Sequence, residues 1–388
     1  MDYLYYSVAA LFWVSVLFVV YAYAGYPVAV WLLSRVFGSK PAPPPETATL
    51  PTMSMIIAAY NEEEVIEKRL RNLSEIDYPP DRLQVLIASD GSTDATADIV
   101  RGFSGRIPVR LLDFKERRGK ASALNAALKE VTGEIVTLSD ANSYTHPDAL
   151  RMMARWFSDP EVGAVAGRVL LRDPVSGRNV DGLYWRYETF IKDCEGRLDA
   201  LVGANGPIYA IRRAEFGGIR SDTIVDDFII PLLMQLRTGA RLVYDTEAIA
   251  MEEAPAEIGD EFKRRARIGA GGYQSLPVLW KLLDPRRGWI SFTFFSHKVV
   301  RWFCPIFMCS ALATNVFLLS EPVYRAAFAA QVLLYATAVL GFAVHGTGAA
   351  ARMLRLSSMF ASMNLALLVG LGRWFRRQQS SAWERTAR

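Results

Sequence analysis

The chain has 388 residues and a formal net charge of +4, with 51% hydrophobic and 22% charged residues. This small positive charge, without a stripe of basic and aromatic residues, argues against nucleic-acid binding and suits contacts with anionic lipid and phosphate. The three cysteines are too few for a disulfide framework, which favours a reducing compartment such as the cytosol.

The first long apolar run covers residues 8–33 and contains no charged side chain. It exceeds the roughly 20 residues that cross a bilayer as a helix, so we predict a membrane anchor. A cleavable signal peptide is the alternative. The run is too long for one, it lacks a basic N-terminal region, and Gly25-Tyr26-Pro27 offers no small-residue cleavage site.

Three further apolar runs cover residues 302–320, 326–344 and 356–372. Because the sequence between the first and second runs has an ordinary globular composition, we predict one soluble domain between an N-terminal anchor and a C-terminal membrane cluster. The predicted segments are an anchor (1–38), a proline-rich linker (39–51), a catalytic domain (52–256), an amphipathic segment (257–298), a membrane cluster (299–373) and a basic tail (374–388).

Basic residues flank the soluble domain on both sides, at Arg35, Lys40, Lys298 and Arg301. Since Lys and Arg concentrate on the cytoplasmic side of spans, the pattern predicts an inner or plasma membrane protein with a cytosolic domain. The arginine-rich tail does not fit three C-terminal crossings, which would export it. Either the last apolar run is interfacial or re-entrant, or the positive-inside preference fails here.

Strand and helix patterns alternate through the first part of the soluble domain, which predicts an α/β fold with a mostly parallel sheet covered on both faces. Ligands bind such sheets at the carboxyl ends of the strands. The predicted strands cover 53–59, 84–88, 109–112 and 134–138, and the predicted helices cover 62–73, 93–100 and 121–131.

Two later stretches, 184–198 and 257–282, are amphipathic and rich in aromatic or basic residues. Such segments either lie along the membrane surface or form ordinary packed helices, and both interpretations stay open.

Acidic residues follow two of the predicted strands. Asp90 is placed to accept hydrogen bonds from a ligand, although its neighbours Ser92 and Thr93 equally indicate a helix cap. Asp140 and Asn142 lie two residues apart on an extended segment, so their side chains point the same way and can share Mg²⁺ or Mn²⁺. The nearby His146 precedes a proline and is interpreted as a turn residue.

A third acidic pair, Asp226 and Asp227, precedes an apolar helical run. Adjacent carboxylates raise each other's pKa and can supply a general base, but they also suit a helix N-terminus. Two basic runs, 117–120 and 263–267, complement them. Arginine forks suit a diphosphate, whereas the alternative for each run is a solvated surface.

These motifs, in this order, resemble the inverting family 2 glycosyltransferases of GT-A type over about residues 53–276. Within that family they are similar to the membrane-embedded branch of cellulose, chitin and hyaluronan synthases and bacterial exopolysaccharide glycosyltransferases. The motifs are Ala59-Tyr60-Asn61-Glu62, Ser89-Asp90-Gly91-Ser92-Thr93-Asp94, Gly119-Lys120 through Leu124-Asn125, Ser139-Asp140-Ala141-Asn142, Asn205-Gly206-Pro207-Ile208-Tyr209, Val225-Asp226-Asp227 and Arg264-Arg265-Ala266-Arg267-Ile268.

The resemblance implies a Rossmann-like GT-A domain that binds a nucleotide sugar, expected to be a UDP-sugar. Tyr60, Glu62 and Asp90 would hold the nucleoside, and Lys120 would approach the diphosphate. Asp140 would bind a divalent cation, and Asn142 stands where the family's DxD motif has its second carboxylate.

The same resemblance assigns the transfer and acceptor sides. Asp227 matches the final Asp of the TED motif and would be the general base, while Arg264 and Arg267 match the Gln and Arg of QxxRW. Arg267, assisted by Arg265, would bind the departing diphosphate. Ile268 replaces the tryptophan of that motif, which leaves acceptor identity and processivity open. The acceptor side would comprise Asn205, Gly206, Tyr209, Asp226 and Ile268.

The implied function is hexosyl transfer to a growing polysaccharide or exopolysaccharide at the bilayer, with other synthesis or export subunits as conceivable partners. A non-processive transfer of one sugar to a lipid acceptor is the first alternative. A catalytically impaired scaffold subunit, motivated by Asn142, is the second.

Overall fold

The computed structural model describes residues 2–45, 49–173, 182–253, 258–344 and 348–378. Parts of the predicted linker, amphipathic segment and tail lie outside the described residues. They are residues 46–48, residue 257 and the residues from 379 onward, respectively. The described chain divides into an α/β unit, residues 30–253 and 277–293, and a helical unit, residues 2–29, 258–276 and 294–378.

An eight-stranded sheet forms the centre of the α/β unit, in the order β3-β2-β1-β4-β7-β6-β8-β5. The four predicted strands are confirmed to within two residues at each end. The strands are β1 (Met53–Ala59), β2 (Leu83–Asp90), β3 (Val109–Phe114), β4 (Ile135–Asp140), β5 (Ser143–Thr145), β6 (Val162–Arg172), β7 (Tyr209–Arg212) and β8 (Arg241–Glu253).

The first four strands are parallel, and their register aligns their carboxyl ends. Ala58 of β1 is paired with Asp140 of β4, and Ala59 with Ser89 of β2. Side chains on both faces of these strands are buried, with Met55 and Ile57 in one apolar core and Ile56 and Ala58 in the other. The register of the pairing makes the strands end together. Asp90 and Asp140 therefore come to one edge of the sheet.

The other half of the sheet is mixed. Strand β7 runs antiparallel to both β4 and β6, β6 is parallel to β8, and β5 is antiparallel to β8. The α/β prediction is confirmed, but this half departs from a parallel arrangement. Strand β7 has only four residues, too short a run for a pattern to predict its direction.

Helices cover both faces of the sheet. Those of the α/β unit are α3 (Glu63–Ser74), α4 (Thr96–Gly102), α5 (Lys120–Leu128), α6 (Ala149–Trp156), α7 (Leu183–Arg197), α8 (Asp226–Thr238) and α10 (Trp289–Thr293), with 3₁₀ turns at Pro80–Arg82, Arg213–Glu215, Trp280–Leu283 and Pro285–Arg287. Helix α4 begins three residues later than predicted. The residues before it form a turn in which Asp94 accepts hydrogen bonds from the backbone N–H and hydroxyl of Thr96.

The remaining helices are α1 (Asp2–Val20), α2 (Tyr26–Val36), α9 (Ile258–Leu279), α11 (Val300–Val316), α12 (Pro322–Phe342) and α13 (Ala349–Phe375), with π-helical turns at Tyr21–Gly25 and Phe294–Val299. Within the described residues, four helical segments are long and apolar enough to cross a membrane. They are Tyr3–Val36, Trp289–Val316, Pro322–Phe342 and Ala349–Phe375. Each is longer than the apolar run that predicted it.

Small residues allow close packing inside the helical unit. A Cβ atom on Gly370 of α13 would lie 2.7 Å from the carbonyl oxygen of Ala266 on α9. The rings of Phe18 and Phe307 stack with centroids 3.9 Å apart. In a bilayer, lipid chains are as apolar as the surfaces of the helices, so the hydrophobic effect does not drive helices together. Membrane helices associate instead through close van der Waals contacts of this kind.

Candidate active site

A cluster of four charged side chains occupies the carboxyl edge of the sheet. The Lys120 ammonium lies 2.8 Å from Asp140 Oδ1 and 3.1 Å from Asp226 Oδ1. Burial lowers the pKa of Lys120, but Asp140 and Asp226 outweigh that effect and hold it above its ordinary value. Lys120 is therefore a permanent cation between two carboxylates.

Asp227 completes this cluster from the first turn of α8. Its Oδ2 accepts a hydrogen bond of 3.1 Å from the N–H of Gly206, and its carbonyl accepts one of 2.9 Å from the N–H of Ala204. Burial and the neighbouring Asp226 raise the pKa of the Asp227 carboxyl, while Lys120 opposes them. A carboxylate whose pKa is raised is a stronger base than an ordinary aspartate.

Gly206 lies between two of these carboxylates. A Cβ atom there would be 3.2 Å from Asp140 Oδ2 and 3.4 Å from Asp227 Oδ2. A glycine at this position keeps a side chain out of the space between Asp140 and Asp227.

Beneath the cluster, Tyr209 of β7 is fully buried, and its hydroxyl lies 3.4 Å from Asp226 Oδ2. Asp226 is buried as well. Both residues stand next to Asp227. Their predicted contact with an acceptor stays a prediction.

Asp90 is engaged differently from Asp140. Its two carboxylate oxygens accept hydrogen bonds of 2.8 Å from the backbone N–H groups of Arg118 and Gly119. The loops after β2 and β3 approach each other closely here. A Cβ atom on Gly91, where φ is +71°, would lie only 2.6 Å from the backbone nitrogen of Arg117, so glycine suits this position. Asp90 thus joins the end of β2 to the loop that presents Lys120.

The loop after β1 carries the other predicted nucleoside ligands. Tyr60 is half-buried, and the Arg117 guanidinium lies 3.8 Å above its ring centroid. Glu62 is buried, and its N–H donates to the Thr96 hydroxyl at 2.8 Å. Asn61, with φ of 52°, accepts a hydrogen bond of 2.8 Å from the Thr93 N–H. The loops after β1 and β2 therefore form one surface beside Asp90.

The predicted cation ligands fit a hard divalent ion shared with a phosphate. The Asn142 amide nitrogen donates to Glu252 Oε1 at 3.1 Å, which leaves the amide oxygen as the acceptor of that group. Within the described ranges no three His, Cys, Asp or Glu side chains form a metal-ligating group. Mg²⁺ is commonly held by one or two protein oxygens together with substrate phosphates and water, which is what Asp140 and Asn142 can offer. His146 lies half exposed beside Asp148 of its own turn.

The sequence analysis missed Arg69, which is fully buried in α3. Its guanidinium donates to Ser139, Asn72 and Thr145 at 2.7–3.1 Å. Burial lowers its pKa to about 10, and Asp140 opposes the shift. In the sequence it stands among charged residues typical of a solvated helix face, so no pattern distinguishes it.

Lys192 of α7 and Glu252 of β8 were also missed. The Lys192 ammonium donates to the Asn205 side-chain oxygen, and to the carbonyl of Ala204 at 3.3 Å. Lys192 lies in the amphipathic stretch whose placement stayed open, and α7 buries Ile191 and Cys194 in the α/β unit. Contact of this stretch with a membrane surface stays a prediction.

The predicted diphosphate arginines lie on α9. Arg264 and Arg265 pair with Glu261 at 2.9 and 2.6 Å. Arg267 is half-buried and Ile268 is 43% exposed. Their contacts with a leaving group or an acceptor stay predictions.

Two family profiles match the chain. The profile described as "Glycosyl transferase family 2" covers residues 54–215, and "Glycosyl transferase family group 2" covers residues 135–344, more than half of the chain. The chain is a family 2 glycosyltransferase. The matched ranges include all four residues of the charged cluster, which are Lys120, Asp140, Asp226 and Asp227. The cluster therefore belongs to the part of this transferase that it shares with the family.

Curated relatives of this glycosyltransferase include the poly-beta-1,6-N-acetyl-D-glucosamine synthases of Staphylococcus aureus (strain COL) and Staphylococcus epidermidis. Each is 28% identical over 236 residues, which cover 58% of this chain and 55% of the relative. The match therefore spans about half the length of these relatives.

Among solved structures, the glycosyltransferase is similar to the mannosyltransferase PcManGT from Pyrobaculum calidifontis, in complex with GDP-Man and Mn²⁺. The two are 23% identical with a TM-score of 0.72, covering 95% of this chain and 99% of that one. At this identity the likeness establishes the fold, and the prediction of a GT-A domain with apolar helices is confirmed.

Proposed function

We propose that this family 2 glycosyltransferase is a membrane-bound inverting enzyme that transfers a sugar from a nucleotide sugar to a growing exopolysaccharide. The observation that supports it most is the cluster of Lys120, Asp140 and Asp227 at the carboxyl edge of the sheet. It combines a base, a cation and an open space between two carboxylates.

In this proposal Asp227 accepts the proton of the acceptor hydroxyl. The freed oxygen attacks the anomeric carbon of the donor, a new carbon–oxygen bond forms on the face opposite the nucleotide, and the bond to the diphosphate breaks. A single displacement inverts the configuration. The Gly206 N–H holds Asp227 Oδ2 in place, so the base stays oriented while the proton moves.

The departing diphosphate gains negative charge, and basic groups stabilise it. Lys120 is a permanent cation in the cluster. Asp140 and Asn142 would hold a divalent cation, which supplies further charge neutralisation at the phosphates when bound. Arg264, Arg265 and Arg267 of α9 are proposed to act on the same leaving group.

On the donor side, Tyr60, Glu62 and Asp90 are proposed to place the nucleoside. Asp90 is proposed to act indirectly, because its two carboxylate oxygens accept hydrogen bonds from the backbone N–H groups of Arg118 and Gly119 and so fix that loop. The staphylococcal relatives are named as synthases of an N-acetylglucosamine polymer and the structural neighbour was solved with GDP-Man. UDP-N-acetylglucosamine and GDP-mannose are therefore the first donors to test.

On the acceptor side, the relatives' name and the four long apolar helices support a polysaccharide made at a membrane. Basic residues beside the spans support a cytosolic catalytic domain. The second candidate function is addition of one sugar to a lipid, favoured by Ile268 where the family's motif has tryptophan.

The decisive experiment uses the purified full-length chain in lipid vesicles with a panel of UDP- and GDP-sugars, with Mg²⁺, Mn²⁺ or EDTA. We expect nucleoside diphosphate release that needs a divalent cation, and long glycan products by size analysis. Products with one added sugar would support the lipid-acceptor alternative instead. Absence of turnover with every donor would overturn the catalytic proposal in favour of a scaffold subunit.

A further inference from the structure

We propose that Lys192 is a positioning residue for the catalytic base, because it holds the 203–206 loop against Asp227 and adds a second cation beside it. This inference rests on the proposed function, in which Asp227 is the base.

The 203–206 loop donates two backbone hydrogen bonds to Asp227. Two of its N–H groups, from Ala204 and Gly206, donate to the carbonyl and to Oδ2 of Asp227. The loop has no regular secondary structure, and it begins at Gly203, where φ is +92°. Its position therefore depends on individual hydrogen bonds, including side-chain contacts, rather than on a sheet or helix.

Lys192 supplies those contacts. Its ammonium donates to the carbonyl of Ala204 and to the side-chain oxygen of Asn205, so it binds two consecutive residues of the loop. The Asn205 amide nitrogen in turn donates to the carbonyl of Gly167 in β6 at 2.6 Å. Lys192 and Asn205 thus connect α7, the loop and the sheet.

Helix α7 is itself fixed within the α/β unit. Near its start, the Trp185 indole N–H donates to the carbonyl of Val169 in β6 at 2.9 Å. Just after its end, the carbonyl of Ala200 accepts a hydrogen bond of 2.8 Å from the Thr293 hydroxyl. A lysine on a helix held near both ends can keep a loop in one position.

The charges around Asp227 give Lys192 a second effect. Asp227 is faced by Asp226 on its own helix, Asp140 of β4, Tyr209 of β7, Lys120 of α5 and Lys192 of α7. Burial and the two carboxylates raise the pKa of Asp227, and the two lysines lower it. Loss of Lys192 removes one of the cations that oppose the raised pKa of Asp227.

The test measures the pH profile of kcat/KM for the full-length chain in vesicles, with UDP-N-acetylglucosamine as donor, or GDP-mannose if the donor panel selects it. In Lys192→Met, we expect the acidic limb to move to higher pH by about half a unit or more, because the base is protonated more readily. Lys192→Arg keeps the charge and donors, so it should return the limb towards the native position. Lys129→Met removes one exposed lysine at the far end of α5 and should leave the profile unchanged.

An acidic limb that stays in place in Lys192→Met, with activity lowered equally at every pH or unchanged, would overturn the inference. If Lys192→Met does not fold, Lys192→Gln is used in its place, since its amide keeps a donor and removes the charge. Asp227→Asn is run in parallel. If it retains turnover, the assignment of the base fails, whereas an inactive Asp227→Asn with an unshifted Lys192 variant refutes only the role of Lys192.

Discussion

Asp90 and Asp140 end two strands that flank β1 on either side, yet the structure engages them differently. The Asp90 carboxylate accepts two backbone N–H groups, both at 2.8 Å. The Asp140 carboxylate pairs instead with the ammonium of Lys120. The same residue type, at the same edge of one sheet, thus meets a fixed backbone partner in one case and a side-chain cation in the other.

The difference predicts that substitution of Asp90 mainly affects the loop it holds, and that substitution of Asp140 mainly affects the proposed chemistry. Backbone N–H groups cannot leave a folded loop, so Asp90 stabilises the loop that carries Lys120. An ammonium on a lysine side chain can move towards an incoming phosphate, so Asp140 can exchange its partner during a reaction cycle. Substitutions at this edge of the sheet should therefore differ in size and kind of effect.

Replacement of the base should have the largest effect. Asp227→Asn should lower kcat by about 10³-fold, because general-base catalysis is lost while the Gly206 N–H keeps an acceptor oxygen. The measurement is the steady-state rate of nucleoside diphosphate release. Asp222→Asn, which changes an exposed carboxylate paired with Arg220, is the matched control and should retain full activity.

The same substitution should lower mainly activity at Asp140 and mainly stability at Asp90. Asp140→Asn should lower activity by about 10²-fold, through a weaker cation site, with little change in thermal stability. Asp90→Asn loses one of two buried acceptors and should lower the free energy of unfolding by about 2 kcal/mol. Activity assays and thermal unfolding of both variants check this. Equal stability losses would remove the distinction between them.

The pH dependence should show the raised pKa of Asp227. We expect the acidic limb of kcat/KM to lie above the ordinary aspartate value of about 3.9, with activity falling tenfold per pH unit below it. An acid whose pKa is higher in the folded state than in the unfolded state stabilises the fold when protonated. That contribution is lost as the pH rises through the folded-state value. A profile that stays flat down to the ordinary value, in protein shown to remain folded, would contradict the expected shift.

The smallest effect should come from Gly206→Ala. The added Cβ would be 3.2 Å from Asp140 Oδ2 and 3.4 Å from Asp227 Oδ2, so these oxygens must shift by a few tenths of an ångström. We expect kcat to fall by about two- to tenfold, since displaced reacting groups lose alignment. Gly102→Ala, at the end of α4 where a Cβ meets no atom within 4 Å, is the control.

Much of the α/β unit was predictable because local patterns determine it. Strands β1 to β4 are short apolar runs bounded by polar turns, and their parallel order follows from the helices between them. Asp90 and Asp140 were placed at one edge by that reasoning alone. The helix boundaries were less accurate, as at α4, where the turn at Asp94 that precedes the helix depends on a side-chain rotamer.

The contacts across the second half of the sheet could not be predicted in this way. The direction of β7 depends on pairing with β4 and β6, far from it in sequence. Arg69 and Lys192 belong to charged helical stretches that resemble solvent-facing surfaces in sequence. Their burial or pairing depends on residues up to 76 positions away in the chain.

The sequence by itself determined the family, the α/β architecture, the apolar helices and the candidate carboxylates, because residue type and spacing encode each of these locally. Only the tertiary structure decided which partner each carboxylate has. The local sequence around a carboxylate at a strand end does not specify whether its partner is a backbone N–H or a lysine ammonium. The partner depends on how distant loops and helices pack around the edge of the sheet.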